Sequence, residues 1–363
     1  MKRFVAGLIA AILLVSCISL IDGGGSGTRT DGLYYQVSGI HPDATIMTVN
    51  GEKISAEEYL YWLAYDCEYL SAYAGSLDWN EVVTGTMTYA DYVKDEVTDT
   101  MKTYAIVRQM AKKGHVTLSD EDLAALDAQR RQYIEYYGGE EAYLQQIQLL
   151  GVSEETFDNI NSMYYLYSRV QEAFCDGSLR PGDEELQSFA EENGLMTAKL
   201  LYLSTEGLSE DEIAQRRDLA QGYAEKLKEA DDVDALYARF AEELGLTVSE
   251  NGQTFSASET GEGGEEDLLL ANAVAALDEG GVSDLIESGN GFYVAVRQAL
   301  DLSAVADRMF SQTIESALAE AKVKYNDAVY GKVDVGSFYA DLLQARQDLA
   351  ATFNTEDAAK DDG

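Results

Sequence analysis

Basic residues are scarce in this sequence. Its 26 lysines and arginines stand against 65 aspartates and glutamates, so the formal net charge is -39. Such a chain repels nucleic acid and anionic membrane surfaces, and it favours basic or neutral partners. The composition therefore excludes a nucleic-acid-binding function. Strong acidity also keeps an exported protein soluble, so the charge alone does not identify a partner.

Histidine is almost absent. The chain contains two histidines, His41 and His115, and neither belongs to a cluster with the spacing of metal ligands. Zinc sites in proteins are built from such clusters of histidine, cysteine and carboxylate side chains. The sequence therefore predicts no metal site.

The N-terminus is typical of a signal peptide. Lys2 and Arg3 precede an apolar run over residues 4 to 15, which is too short for a stable transmembrane helix. The run ends in LVSC at residues 14 to 17, which resembles the lipobox of bacterial lipoproteins. That resemblance implies a signal peptide over residues 1 to 16 and a lipid on Cys17 that anchors the protein to the outer face of the bacterial cell membrane. Residues 17 to 32 are rich in glycine and predict a flexible linker.

Two further cysteines leave two interpretations open. Cys67 lies at helical spacing with the apolar residues Leu60, Leu63 and Leu70, which is typical of a buried free thiol. Outside the cytoplasm a disulfide between Cys67 and Cys175 is also chemically permitted.

Residues 33 to 196 predict a mostly helical module. A short strand over residues 46 to 49 ends in the turn dipeptide Asn50-Gly51, and Ser55 then begins a helix that runs to about Tyr73. This helix carries tyrosines at helical spacing. They predict either a face packed on other helices or a surface that binds client proteins.

After Pro181 the sequence pattern changes, and strands are predicted between the helices. Residues 198 to 203 predict a strand, residues 211 to 244 two helices, residues 268 to 277 a further helix, and residues 292 to 296 a last strand. The chain then returns to an amphipathic helix over residues 303 to 322. Its apolar stripe cannot be stable alone, and we expect all of it to pack on the N-terminal helical module; the stripe consists of Val305, Met309, Phe310, Ile314 and Leu318.

Several blocks together resemble the PrsA and SurA family of extracytoplasmic foldases. They are VNGEKIS at residues 49 to 55, LSDE at 118 to 121, GGEEAYLQQIQLLGVSEETF at 138 to 157 and DEGGVSDLI at 278 to 286. The resemblance implies an α+β fold, in which a helical chaperone module is interrupted by a parvulin-like α/β domain at residues 197 to 300. Residues 301 to 345 would return to the module, with residues 323 to 325 pairing near residues 46 to 49. Residues 346 to 363 would form a mobile acidic tail.

The family also implies a function. It predicts a lipid-anchored extracytoplasmic chaperone whose partners are unfolded or partly folded exported polypeptides, with a homodimer as an open possibility. Its parvulin domain would be a peptidyl-prolyl isomerase, which needs no cofactor because it accelerates rotation by binding the twisted amide. A solute-binding lipoprotein is disfavoured, because the alternating units of a two-lobed α/β binder are missing.

The isomerase pocket departs from the family pattern. When the family's pocket residues are carried over one at a time, the histidine of the first strand falls at Lys199 and the histidine of the last strand falls at Tyr293. The hydroxyl that links the two histidines falls at Ser288, and the nearby cysteine or aspartate falls near Glu243. Phe255 and Leu270 would line the pocket, and an apolar position becomes Glu266. Because both histidines are missing, we expect isomerase activity to be weak or lost. The alternative is an active isomerase that uses Tyr293, Ser288 and Glu243.

Overall fold

The computed structural model describes residues 27–75, 77–246, 252–256 and 265–361, and side chains among these up to residue 353. The chain divides into two compact units. The first contains Met1–Ala173 and Thr313–Gly363, and the second contains Phe174–Gln312. Cys17, the predicted site of lipidation, lies outside the described residues.

Helices dominate the described residues. Their bounds are α1 Gly32–Ser38, α2 Ala56–Ala74, α3 Tyr89–Gly114, α4 Asp120–Tyr137, α5 Glu140–Leu150, α6 Glu154–Asp176, α7 Asp183–Glu192, α8 Glu210–Lys228, α9 Val233–Glu243, α10 Glu265–Ala275, α11 Leu302–Glu320, α12 Asp327–Tyr330 and α13 Val335–Asp361. The strands are β1 Thr45–Val49, β2 Glu52–Ser55, β3 Val82–Thr84, β4 Met87–Thr88, β5 Leu195–Ser204, β6 Gln253–Ser256, β7 Ile286–Glu287, β8 Gly291–Gln298 and β9 Val323–Tyr325. This composition confirms the predicted α+β class with a majority of helix.

The two ends of the chain meet in one small sheet of the first unit. Its strand order is β2-β1-β9, and all neighbours are antiparallel. The turn between β1 and β2 uses Asn50 and Gly51, both with positive φ, which is the two-residue turn that this dipeptide favours. On the other side of β1, Met47 pairs with Tyr325 and Val49 with Val323. The strand that returns from the far end of the sequence therefore completes the sheet begun at its start.

The start of the first unit is held more firmly than a flexible linker would be. The backbone amides of Thr28 and Arg29 donate to Asp43, and Arg29 also pairs with the buried Glu57. Gly27 has φ +73°, and a Cβ there would lie 2.7 Å from the backbone nitrogen of Ala44. The prediction of a linker that extends to residue 32 is thus wrong for residues 27 to 31.

The far end of the first unit is helical where the sequence predicted a tail. The backbone of α13 continues to Asp361. Its buried Phe338 lies 5.8 Å from Tyr34, and Tyr339 lies 5.8 Å from Trp79, measured between ring centroids. Arg346 pairs with Glu68. Residues after 345 therefore extend a helix that packs on the first unit.

The second unit contains a four-stranded antiparallel sheet with the order β6-β5-β8-β7. β5 and β8 pair continuously from Thr197 with Gln298 to Ser204 with Gly291. Each face carries an apolar cluster. One cluster packs against α8 and α9 and includes Leu201, Leu203, Tyr223, Phe240 and Val294. The other packs against α10 and includes Met196, Ala198, Leu270, Val274 and Ala295.

Helix α11 buries the first part of its apolar stripe against residues 174 to 195. Val305 and Ala306, in its first turns, form a buried cluster with Leu186 and Ala190 of α7 and Leu195 of β5. Phe310 lies 5.5 Å from Phe174 between ring centroids. The N-terminal half of the helix thus packs inside the second unit. These partners lie within residues 33 to 196, the range predicted for the helical module, and belong to the part of that range that the structure groups with the second unit.

Within the described residues, no helix combines the length and the apolar character needed to cross a membrane.

Candidate functional site

The central sheet of the second unit divides the predicted site residues between its two faces. Side chains alternate along a strand, so neighbouring positions point to opposite faces. On β5, Leu201 and Leu203 face α8 and α9, whereas Met196 and Ala198 face α10. Lys199 has the parity of Leu201 and therefore belongs to the first of these faces.

Lys199 is engaged by α9. Its Nζ lies 2.8 Å from Asp234 Oδ1 and 5.9 Å from the ring centroid of Tyr237. Glu243 ends the same helix and accepts a hydrogen bond from the Tyr223 hydroxyl at 3.4 Å. Lys199 and Glu243 therefore share one side of the sheet, where both have structural partners.

Tyr293 lies on the opposite face. Its hydroxyl donates to Glu266 Oε1 at 3.0 Å, and its ring stacks on Tyr202 at 4.6 Å between centroids. Ser288, in the turn before β8, donates to the carbonyl of Gly291 at 3.2 Å. Hydrogen bonds from Ser288, Tyr293 and Asn290 lower the pKa of Glu266. Burial, reinforced by Glu266, raises the pKa of Tyr293, so its hydroxyl remains a donor at neutral pH.

Phe255 and Leu270 lie on this same face. Leu270 is buried in the cluster under α10, and Phe255 and Tyr293 pack against it half-buried. The structure thus brings together Phe255, Leu270, Ser288 and Tyr293 and separates them from Lys199 and Glu243.

The separation has a simple cause. A shift of one residue along a strand moves a side chain to the other face. The β5 residue that pairs with Tyr293 is Tyr202, and Leu200 packs against the same apolar cluster. Leu200 and Tyr202 therefore lie on the Tyr293 face together with Met196 and Ala198, and none of these first-strand residues is a histidine. From the sequence, Glu266 was predicted only as the replacement of an apolar pocket residue, and its hydrogen bond to Tyr293 was not foreseen.

The chemistry available on this face is limited. It offers a stacked pair of tyrosines, an ionised carboxylate and a serine that is bonded to backbone. No grouping of three histidine, cysteine or carboxylate side chains that could hold a metal ion occurs among the described residues. Cys67 is buried and Cys175 half-buried, and both are free thiols. Burial raises the pKa of the Cys67 thiol, which makes it unreactive.

A second candidate surface lies on the helices of the first unit. Four pairs of tyrosine rings are in mutual contact there, and each pair includes at least one exposed ring. We call them the tyrosine pairs: Tyr69 with Tyr73 on α2, Tyr133 with Tyr137 and Tyr136 with Tyr137 on α4, and Tyr164 with Tyr165 on α6. The tyrosines at helical spacing on α2 are thus half-buried at Tyr61 and Tyr65 but exposed at the C-terminal end of the helix, at Tyr69 and Tyr73.

Comparison with known proteins gives structural neighbours alone. No family model matches the sequence. No curated protein matches it either. Among solved structures, the chain is similar to the foldase PrsA from Streptococcus pneumoniae, with 17% identity over 74% of this chain and 92% of that chain, at a TM-score of 0.24.

Two further neighbours are of the same kind. PrsA from Bacillus subtilis is 14% identical over 76% of this chain and 93% of that chain, at a TM-score of 0.26. A SurA-like chaperone from Campylobacter jejuni is 12% identical over 78% of this chain and 98% of that chain, at a TM-score of 0.21. These neighbours are PrsA and SurA-like chaperones, as the sequence blocks suggested.

Proposed function

We propose that this protein is an extracytoplasmic chaperone, anchored by a lipid on Cys17, that binds unfolded exported polypeptides and assists their folding. The observation that carries the proposal is the set of tyrosine pairs on the helical unit. Soluble proteins bury most of their large aromatic rings, and exposed clusters of them are typical of binding surfaces.

The degree of exposure supports this proposal. Tyr73 is 78% exposed and Tyr136 is 79% exposed, although 24 tyrosines occur in the chain and many are buried. A tyrosine ring offers a large apolar area at a small cost in side-chain entropy. Its hydroxyl can donate a hydrogen bond to a backbone carbonyl or accept one from a backbone amide of any polypeptide. Such side chains suit a partner without fixed sequence, as an unfolded polypeptide is.

The second unit contributes a parvulin-like domain whose isomerase activity we propose to be weak or absent. The two histidines of the chain, His41 and His115, both lie outside this unit. The residues proposed to replace the catalytic set are split, since Lys199 and Glu243 lie on one face of the sheet and Ser288 and Tyr293 on the other. An active isomerase built on Tyr293, Ser288 and Glu243 would need all three in one pocket.

The test is suppression of aggregation. Residues 27 to 363 should slow the aggregation of a chemically unfolded exported protein, measured by light scattering. This fragment keeps Arg29, whose contact with Glu57 a shorter one would lose. Lack of suppression at several-fold molar excess would contradict the proposal.

A matched pair of variants assigns the surface. Replacing Tyr73 and Tyr136 together by serine should weaken suppression several-fold, because these rings are exposed and their loss leaves the core intact. Leu219→Ser is the control, since Leu219 is 41% exposed on the second unit and belongs to no tyrosine pair. Equal suppression by both variants would show that the tyrosine pairs are not the binding surface.

A further inference from the structure

A cleft opens at one end of the four-stranded sheet of the second unit. Its volume is about 420 Å³, within the range of sites that hold small ligands or side chains. None of the predicted site residues lines it. We call it the sheet-end cleft, and the lining residues that matter here are Ala190, Glu191, Met196, Ala275, Glu279 and Arg297.

The floor of the cleft is apolar. Leu195, Met196 and Leu300 contribute aliphatic surface. Leu195 and Met196 pair with β6 and lie before the pairing of β5 with β8, which begins at Thr197. Leu300 packs against the buried cluster that contains Leu195, so the floor offers side chains to a ligand.

The rim of the cleft is negatively charged. Glu191 and Glu279 are exposed and form no ion pair with any described residue. The one cation of the lining, Arg297, points its Nη1 at the carbonyl oxygens of Val274 and Leu277, at 3.1 and 3.3 Å. Its guanidinium is thus engaged by backbone, and two carboxylates remain available to a ligand.

We propose that the sheet-end cleft binds an extended segment of unfolded polypeptide that places an apolar side chain on the floor and a lysine or arginine at the rim. The apolar floor would hold the apolar side chain of the segment, and Glu191 and Glu279 would attract its cation. This inference rests on the proposed chaperone function and names a second contact for the client. A second copy of the chain is a poor occupant, because a net charge of -39 opposes self-association.

The experiment uses the full-length protein and a fluorescein-labelled peptide with a Val-Leu-Val centre flanked by lysines. A second peptide has glutamates in place of the lysines. Fluorescence anisotropy should show binding of the first peptide and at least roughly tenfold weaker binding of the second, a difference of about 1.4 kcal/mol.

Two matched pairs of variants locate the site. Ala275→Trp fills the cleft from an exposed position and should weaken binding roughly tenfold or more, whereas Ala276→Trp is the control one residue further on, outside the lining. Glu191→Gln should weaken binding about two- to fivefold, the range of one exposed ion pair. Glu192→Gln should leave it unchanged, because Glu192 is exposed but does not line the cleft.

Each outcome decides for or against the cleft. Loss of binding in Ala275→Trp and Glu191→Gln but in neither control supports it. Equal binding of both peptides, equal effects of variants and controls, or no binding of the lysine peptide would overturn it. Aggregation suppression by the natural chain and by Ala275→Trp is measured in parallel, because suppression that persists when the peptide results overturn the cleft leaves the proposed chaperone function standing.

Discussion

The two units are stabilised differently. In the first unit, buried carboxylates join segments that are far apart in sequence. Glu57 is 3% exposed and accepts from both terminal nitrogens of Arg29, at 3.1 and 3.0 Å, and from the backbone nitrogen and hydroxyl of Ser153, at 2.9 and 3.0 Å. One carboxylate thus ties the start of the unit, α2 and the N-terminus of α6 together.

The second unit keeps its ion pairs at the surface. Arg217 and Glu287 are 2.6 Å apart, with both side chains more than half exposed, and Lys228 pairs with an exposed Asp284. Its interior is built from apolar side chains on both faces of the sheet. The comparison shows that carboxylates determine how the first unit closes, whereas apolar burial on a sheet determines the second.

The sharpest test of this comparison is a truncation. Deleting residues 313 to 363 removes β9, α12, α13 and the end of α11, and with them buried side chains that include Ile314, Val335, Phe338 and Leu342. Each lost side chain of this kind costs about 1.5 to 3 kcal/mol, so the first unit should lose more than about 5 kcal/mol and fail to fold. The second unit should keep its own unfolding transition in urea, followed by circular dichroism.

The outcome that would contradict this view is a truncated chain in which both transitions stay at their original urea concentrations. It would mean that the returning strand and helices add nothing to the first unit.

A single carboxylate gives the next largest effect. Glu57→Ala leaves the guanidinium of Arg29 and the Ser153 amide without their buried partner, and breaking such a network costs about 3 to 5 kcal/mol. Glu287→Ala, its counterpart in the second unit, should cost less than about 1 kcal/mol, because the pair with Arg217 is exposed. Urea unfolding of both variants measures the difference, and equal losses would remove the distinction between the two units.

Much of this architecture was predictable from local patterns. Asn50-Gly51 specified the first hairpin, and the capping residue Ser55 begins a helix where the sequence placed it. The hydroxyl of Ser55 accepts a hydrogen bond from the backbone amide of Glu58 in the first turn. Such signals depend only on neighbours in the chain, and for that reason they are readable without a structure.

The site was less predictable, for a physical reason. A strand can be assigned from its apolar pattern, but the face on which each side chain lies depends on a register that must be exact to one residue. An error of one residue placed Lys199 on the same face as Tyr293, whereas the two side chains lie on opposite faces. The role of Glu57 could not be read either, because its partners Arg29 and Ser153 are distant in sequence. An acidic residue in the first turn of a helix is ordinary, and only the tertiary fold shows that it is buried.

A partly buried carboxyl group should also make the stability of the first unit depend on pH. Burial, reinforced by Glu96 on the facing helix α3, raises the pKa of Asp66 from 3.8 to about 7. The folded protein therefore holds this proton more tightly than the unfolded chain. Stability should fall as pH rises from about 4 to 7 and then level off, by up to about 4 kcal/mol in total.

The variant Asp66→Asn isolates this effect. It should be more stable than the natural chain at pH 8 and equal to it near pH 4, as measured by urea unfolding at several pH values. Asp127→Asn is the control, because Asp127 is exposed in a pair with Arg131 on the surface of α4. An identical pH profile for Asp66→Asn and the natural chain would show that Asp66 titrates normally.

The smallest expected effects concern the two faces of the sheet in the second unit. Tyr293→Phe removes one hydrogen bond to Glu266, and Lys199→Ala removes a pair with the exposed Asp234, so each should cost about 1 kcal/mol or less. Neither substitution should change the rate of prolyl isomerisation, because we expect this unit to accelerate it little. The uncatalysed rotation takes tens to hundreds of seconds, and this is the baseline of the assay. A proline peptide assay with the natural chain and both variants measures this rate. Acceleration that disappears in Tyr293→Phe but survives in Lys199→Ala would instead establish an active isomerase confined to the Tyr293 face, with Glu266 and not Glu243 as its carboxylate.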